Sequence, residues 1–493
     1  MAVLTIVLTV GSATASQAAP VSLGSTNDGR AARVVVDSGG QGYVSWSDEG
    51  AGSTVVYCRL PSGATGCAPR LSFAFGAGPA FGTDKGNSPL LTAAGQVAIL
   101  DSRCCETSNE KFLLLSSDGG STFAGPSPIV SDHASGMTGN AIDLPPGALY
   151  AGSPEQVLTS DASAVSGGGS IQATGLAQEA ADPGWFTPGI EENSLSGSVG
   201  LQGSTLVAVY TTASPPRKVR WVKYLGAGSP NSSQSWSPPA EVLPAPSLAS
   251  NAQLAGGPSG IFMARGIATA GDNEELAVQK FTGSGWSSPV ALTSKEAGES
   301  FAIAESPAGF VYVIWKDSGG SLKYAISKST AGTSFGAAQT LPTVGNITFP
   351  EIAVDASGAG WATWTNESSP AQIFALPILP APNSTRVGLS DGSSVSLGTP
   401  RGCVAPGASF KVTLGFKASK RKGRVYIKPS KVAFSVSGSA VKTVRHAPFR
   451  ATLTITASTA PGSTVTVRAR ATLKTHHGKP PTKSIYAKVG VCS

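Results

Sequence analysis

A segment pattern returns about every 50 residues through the first three quarters of this chain. Each copy holds a strand, a glycine-bearing turn and a second strand ending on Trp or Tyr. Further strands follow, closed by Gly/Ser turns. The clearest copies are Arg33–Trp46, Ala302–Trp315 and Glu351–Trp364. A unit this short cannot bury its own apolar face, so neighbouring copies must stack to make a core.

Short strands at this period describe an all-β fold, a β-propeller. Aligning the second strands gives Trp46, Ile99, Tyr150, Tyr210, Met263, Trp315 and Trp364 as anchors, which makes seven blades. The third unit, Ala141 to Ala177, is the weakest; if it is irregular the count falls to six. The seventh unit shows only three strands before a Pro-rich stretch. Pro20–Leu23 resembles the outer strands of other units and is expected to supply the fourth, which would remove an open sheet edge.

Charge divides the chain. From Arg401 to Ser493 there are 18 Lys/Arg and no Asp or Glu. The other 18 Lys/Arg and all 29 acids lie before it, a net of −11 under a whole-chain charge of +7. That split predicts separate domains with different partners. The expected division is an export signal over 1–19, the propeller over 20–380, a Ser/Gly/Pro linker over 381–400 and a basic domain over 401–493. In Thr464–Lys474, Val465, Val467, Ala469, Ala471 and Leu473 alternate with Arg468, Arg470 and Lys474, which reads as a strand with one buried face. Six or seven such strands in about 90 residues suggest a two-sheet sandwich.

Ala2–Val10 and the small residues Ala13 to Ala15 support the export reading, and no other stretch is apolar enough to span a membrane. A secreted or surface-held protein follows. Six cysteines suit an oxidising compartment and allow fifteen pairings. Position favours Cys58 with Cys67 and Cys403 with Cys492, leaving the adjacent Cys104 and Cys105 as a vicinal pair or two thiols. A bond closing 403–492 is worth about 4–5 kcal/mol in the chain-entropy treatment.

One segment carries a family resemblance. Ser116, Asp118, Gly120, Thr122 and Phe123 match the Asp-box of sialidase-type (BNR) propellers. The Asp can accept backbone N–H groups across a tight turn, the Gly allows positive φ and the aromatic plugs between strands. Degenerate relatives stand at Phe281–Trp286 and Ser327–Phe335. The stretch from Val432 to Gly462 resembles bacterial immunoglobulin-like modules. The resemblance implies a propeller followed by an immunoglobulin-like β-sandwich, with the Asp-box structural and ligands on the opposite face.

On that ligand face the alignment places Asp28, Arg30, Asp48, Asp84, Arg103, Glu191, Glu192, Arg265 and Asp317, together with Lys316 and Asn366. Polar loop residues can equally be only solvated. Sialidase chemistry, as the resemblance implies it, needs three arginines, a Tyr–Glu pair and an Asp; the family's Arg-Ile-Pro motif is absent, although Arg30 and Arg33 lie near its usual place. Glu191 and Glu192 are capable of glycoside hydrolysis, but adjacency does not set their separation. His133, His446, His476 and His477 make no zinc-spaced motif, and no nucleophile elbow, P-loop or dinucleotide fingerprint occurs. No metal or cofactor is expected. Asn231, Asn346, Asn366 and Asn383 stand in glycosylation sequons.

The reading is a secreted, non-catalytic monomer. Its propeller face binds a glycan or protein. Lys411, Arg424, Lys428, Arg450, Arg468, Arg470 and Lys474 meet an anionic wall or matrix polymer, with nucleic acid a secondary partner. The alternative is an exo-glycosidase acting in the propeller channel.

Overall fold

The computed structural model describes residues 19–26, 32–48, 54–61, 64–74, 87–103, 110–130, 141–149, 155–163, 168–175, 194–212, 218–230, 232–243, 252–268, 274–293, 297–356, 358–368, 370–378, 383–400, 403–404, 406–419, 426–436, 442–459, 464–475 and 480–491. The expected export signal over 1–19 falls almost wholly outside them. So do Cys104, Cys105 and Cys492, and with them the expected Cys403–Cys492 bond and the adjacent cysteine pair.

Before residue 379 the described strands form seven consecutive antiparallel sheets. Six have four strands and the third, the Gly/Ser-rich one, has three. The innermost strands are Arg33–Val36, Asn87–Leu91, Ala141–Leu144, Ser194–Gln202, Ala252–Gly257, Ala297–Glu305 and Ile347–Val354. Each lies beside the next, and the last lies beside the first, so the arrangement is propeller-like.

Seven apolar clusters hold the ring, each built from two adjacent sheets. Trp46 and Val34 of the first sheet share one with Trp361 and Ile373 of the seventh. Phe262 and Val278 of the fifth share another with Trp315 and Val313 of the sixth. Burying side chains of this size stabilises by about 1.5–3 kcal/mol each, which explains why the repeat ends its second strand on an aromatic.

The ring closes through its first strand. Val21–Thr26 runs antiparallel to Ala371–Ile378 as the outermost strand of the seventh sheet, with Val21 opposite Ala375. Val21 and Leu23 are buried there among residues of the first and seventh sheets. The seventh sheet therefore has its fourth strand where the sequence placed it.

The third unit differs from expectation. Its second strand is Gln156–Ser163, so the anchor position falls near Leu158 rather than Tyr150. Pro145-Pro146-Gly147 turns the chain first, with Ala148 N–H bonded to the Pro145 carbonyl at 3.0 Å. Proline has no N–H for a ladder, so the strand starts later.

The region expected as a linker over 381–400 carries strands instead. Asn383–Gly388 and Ser394–Thr399 form a hairpin that pairs with Ser409–Lys417, and Phe449–Thr454 completes that sheet. Ser and Gly dominate the composition, but Val395 and Leu397 alternate inward and are fully buried. A second sheet contains Cys403–Val404, Thr482–Val491, Thr464–Thr475, Tyr426–Val436 and Lys442–Val444. The two sheets share one core around Val412, Leu414, Phe434, Val467 and Ile485, and so form a sandwich. The alternation in Thr464–Lys474 is as the sequence indicates: Val467, Ala469, Ala471 and Leu473 are at 0% exposure, while Arg468, Arg470 and Lys474 face out.

Candidate functional site

In each meander the chain enters the first strand and turns from the second to the third at the same end. That end, here the entry end, receives the expected ligand loops. The opposite end carries the Asp118 turn between third and fourth strands. There the Asp118 carboxylate accepts from Ser121 N–H and Thr122 N–H at 2.9 Å each, from the Ser116 hydroxyl at 2.8 Å and from the Thr122 hydroxyl at 2.7 Å. These bonds, the Thr122 amide and hydroxyl foremost, hold its pKa far below the usual carboxylate range. Gly120 has φ 78°, and a Cβ on it would run into the Tyr57 hydroxyl. Phe123 packs edge-on to Tyr57 and Phe73 at 4.8 and 5.4 Å, wedging the first sheet to the second. The related turns close at the bridges Phe281–Trp286 and Ser327–Phe335, and a third, Tyr224–Trp236, holds a longer excursion in the fourth sheet. All of this is scaffold.

Among the nine expected ligand-face residues, Asp28, Arg30, Asp84, Glu191 and Glu192 lie outside the described residues. Arg103 ends the second strand of the second sheet, its side chain outside the description. Asp48 ends the second strand of the first sheet and is half-buried. Two are corrected. Arg265 is fully buried, on the face of its strand that carries Ile261 and Met263 into the core between the fourth and fifth sheets. Its Nε donates to Gln279 Oε1 at 2.8 Å, and Gln279 donates to the Leu243 carbonyl at 2.9 Å. Burial lowers the Arg265 pKa to about 10. It ties sheets together rather than facing a ligand. Asp317 folds its own turn: it accepts from Ser321 N–H at 2.7 Å and pairs with Lys323 at 2.5 Å.

The entry end instead gathers residues that the candidate list omits. Arg33 opens the innermost strand of the first sheet, opposite Ser45. Glu351 stands at the equivalent register of the seventh, opposite Thr363. Arg33 and Glu351 head two of the clearest repeat copies, and closure of the ring brings these copies side by side. Each side chain is densely surrounded yet keeps part of its surface open to solvent. Burial pushes Arg33 down and Glu351 up, and each one's charge partly restores the other.

Two residues before Glu351, the strand bulges. Phe349 sits there with φ 46°, the one described non-glycine residue at positive φ, and it is 46% exposed. A bulky side chain in that region costs about 1–2 kcal/mol. Its N–H is fixed by the Ser300 hydroxyl at 2.9 Å, on the innermost strand of the sixth sheet. Around it runs an exposed polar chain: Lys316 Nζ donates to Asn346 Oδ1 at 2.8 Å, and Asn346 Nδ2 donates to Glu367 Oε2 at 2.7 Å. Gly345, at φ 77°, lets this loop lie against Asn366, where a Cβ would collide. An exposed ring, hydroxyl and amide groups and two partly desolvated side chains of opposite charge, Arg33 and Glu351, thus share the entry end of sheets six, seven and one. The repeat alignment was the available signal for Arg33 and Glu351; Phe349 has none, because its conformation is set by a bulge.

No protein family matches this sequence, and no curated protein matches it. Among solved structures the chain is similar to an α-L-arabinanase of Penicillium chrysogenum, at 11% identity over 74% of this chain and 98% of that one, TM-score 0.44. It is also similar to a fungal alcohol oxidase in complex with copper, at 12% identity over 97% and 99%, TM-score 0.42. A Hadza microbial sialidase is similar at 13% identity over 71% and 65%, TM-score 0.40. At these identities and scores the likeness bears on neither residues nor reaction.

Proposed function

We propose that the ring is a seven-bladed propeller of the sialidase-like type that binds a glycan at its entry end, and that the domain after it is an immunoglobulin-like sandwich. The observation that carries the binding reading is Phe349. Strained backbone persists where the surrounding structure imposes it, and such sites cluster at ligand clamps. An aromatic face packs against the C–H face of a sugar ring, and nearby amide and carboxylate groups bond to sugar hydroxyls. Phe349 supplies the face; Asn346, Glu367, Lys316 and Arg33 supply donors and acceptors. Secretion suits such a role, and the Cys58–Cys67 disulfide, joining Cα atoms 5.2 Å apart, is consistent with it.

Hydrolysis of the bound glycan is the second reading, and Glu351 favours it. A carboxyl raised by burial at the entry end has the property a general acid needs. Glu299, in the bulged innermost strand of the sixth sheet, is a candidate for the second carboxylate by position in the fold.

A glycan array run beside a fluorogenic glycoside panel tests both readings. F349A should lose glycan binding. F349G should lose binding as well while melting no lower than the parent, because glycine relieves the backbone cost. If F349G keeps full binding, the ring is not the platform. If the parent cleaves a glycoside, E351Q should abolish turnover and spare binding; turnover that survives E351Q removes Glu351 as the acid.

A further inference from the structure

The outward face of the five-stranded sheet in the C-terminal sandwich combines charge and an aromatic ring in a way the ring domain does not use. Arg468, Arg470 and Lys474 stand along one strand, two to four residues apart, all exposed. Lys428 lies directly opposite Lys474 on the neighbouring strand, and both are exposed. Like charges placed opposite one another destabilise a sheet, and the sequence from Arg401 onward has no acid to offset them. Asp391, in the hairpin of the other sheet, is the one acid from residue 383 on. On the other side of the central strand, Tyr486 lies opposite Arg468 and is 53% exposed. The Arg468 guanidinium sits over its ring at 5.8 Å and donates to the Ser484 hydroxyl at 3.1 Å. Thr466, Thr472, Ser484 and Ser435 fill the positions between.

Lys411 and Arg450, expected to point outward on neighbouring strands, are exposed on the opposite sheet, and Arg424 lies outside the described residues. The charge is therefore on two faces, and among the described residues the exposed aromatic ring of the domain, Tyr486, is on the five-stranded one.

We infer that this face binds an anionic polysaccharide, with the arginines and lysines on carboxylate or sulfate groups, the hydroxyl-bearing residues on sugar hydroxyls and Tyr486 against a sugar ring. Sheet platforms for single-stranded nucleic acid stack two or three bases on as many aromatics. Among the described side chains of this face Tyr486 is a single ring, already engaged by Arg468, and hydroxyl groups fill most of the positions between the cations. The inference is independent of the glycan site on the ring.

The test uses the full-length protein and measures binding to heparin, polygalacturonate and oligo(dT) over a salt series. Heparin or polygalacturonate should bind, with affinity falling steeply as salt rises. R468E/R470E should weaken that binding by about tenfold or more and lower the salt slope by about two. Y486A should weaken it several-fold with the slope unchanged. K411E/R450E, on the other sheet, should leave it nearly intact. Melting curves confirm that each variant is folded; if the charge reversal is not, R468Q/R470Q removes the two charges without adding acids and should lower affinity and salt slope in the same direction. Equal losses from both charge reversals would mean diffuse attraction and overturn the site. Tighter binding to oligo(dT), lost in Y486A, would make the face a nucleic-acid platform instead. Failure to bind all three probes at low salt would end the proposal.

Discussion

Asp143 and Glu155, both of the third sheet, converge on one amide of the second: Ala93 N–H lies 3.1 Å from Asp143 Oδ2 and 2.7 Å from Glu155 Oε1. One N–H is thus shared by two carboxylates whose like charges stand close together. Burial first, then Glu155, raises Asp143 from 3.8 to about 7. Between the fifth and sixth sheets Glu305 repeats the theme, accepting from Ser259 N–H at 2.7 Å and raised by burial from 4.5 to about 7, with Lys280 opposing. Both groups hold protons more tightly folded than unfolded. Their support is complete below about pH 4 and is lost as pH rises to about 7. Asp118 and Asp317 are shifted down and act the other way, losing their support as pH falls below 3.8. The melting temperature should therefore peak between about pH 4 and 5 and decline towards neutrality. D143N, which can donate to Glu155, should flatten part of the decline; a parent profile level from acid to neutral pH would refute the upward shifts of Asp143 and Glu305.

Removing residues 20–26 should open the seam between the first and seventh sheets. Val21 and Leu23 leave the core, a loss of about 3–5 kcal/mol, and Ala371–Ile378 becomes a bare edge. Lower melting temperature and increased light scattering are expected. Unchanged values would mean the seam does not hold the ring.

At the Asp118 turn, D118A should lower the melting temperature and loosen the contact between first and second sheets. D118N should cost less, because its Oδ1 keeps the three bonds from Ser116, Ser121 and Thr122 N–H and loses only the second oxygen. Thermal scans of the two variants rank them; equal losses would show that charge, not geometry, is what the turn needs.

Replacing Cys58 and Cys67 together by serine should cost about 2–3 kcal/mol through the freed loop. Denaturant midpoints check this. Glycan binding at the entry end should persist in the variant, since the bridge joins the third strand of the first sheet to the loop preceding its fourth.

The ring was legible because its signals are local and recur: Trp46, Trp315 and Trp364 mark second strands, and Asp118 with Gly120 marks a turn. Ring closure was legible because one unit lacked a strand and Val21–Leu23 had no other home. The sandwich was legible from strict alternation in Thr464–Lys474. The hairpin 383–399 was missed because Ser and Gly outnumber the two residues, Val395 and Leu397, that bury it. Of the site, the sequence offered polar loop residues by position alone. It could not show that Arg265 turns into an inter-sheet core, because the face of a strand on which a cation falls depends on register. Nor could it show Phe349 at φ 46°, since a bulge is set by what packs on both sides of it.

The pairing of Val21 with Ala375 sets an order of assembly. The first sheet-forming residues to be synthesised must wait, unpaired in their final sheet, until nearly the whole ring has been made. Contacts so distant along the chain are slow to form, and until they do, the growing protein carries an exposed strand edge. Tags placed before residue 20 will sit at the rim of the finished ring, beside the seam they can most easily disturb.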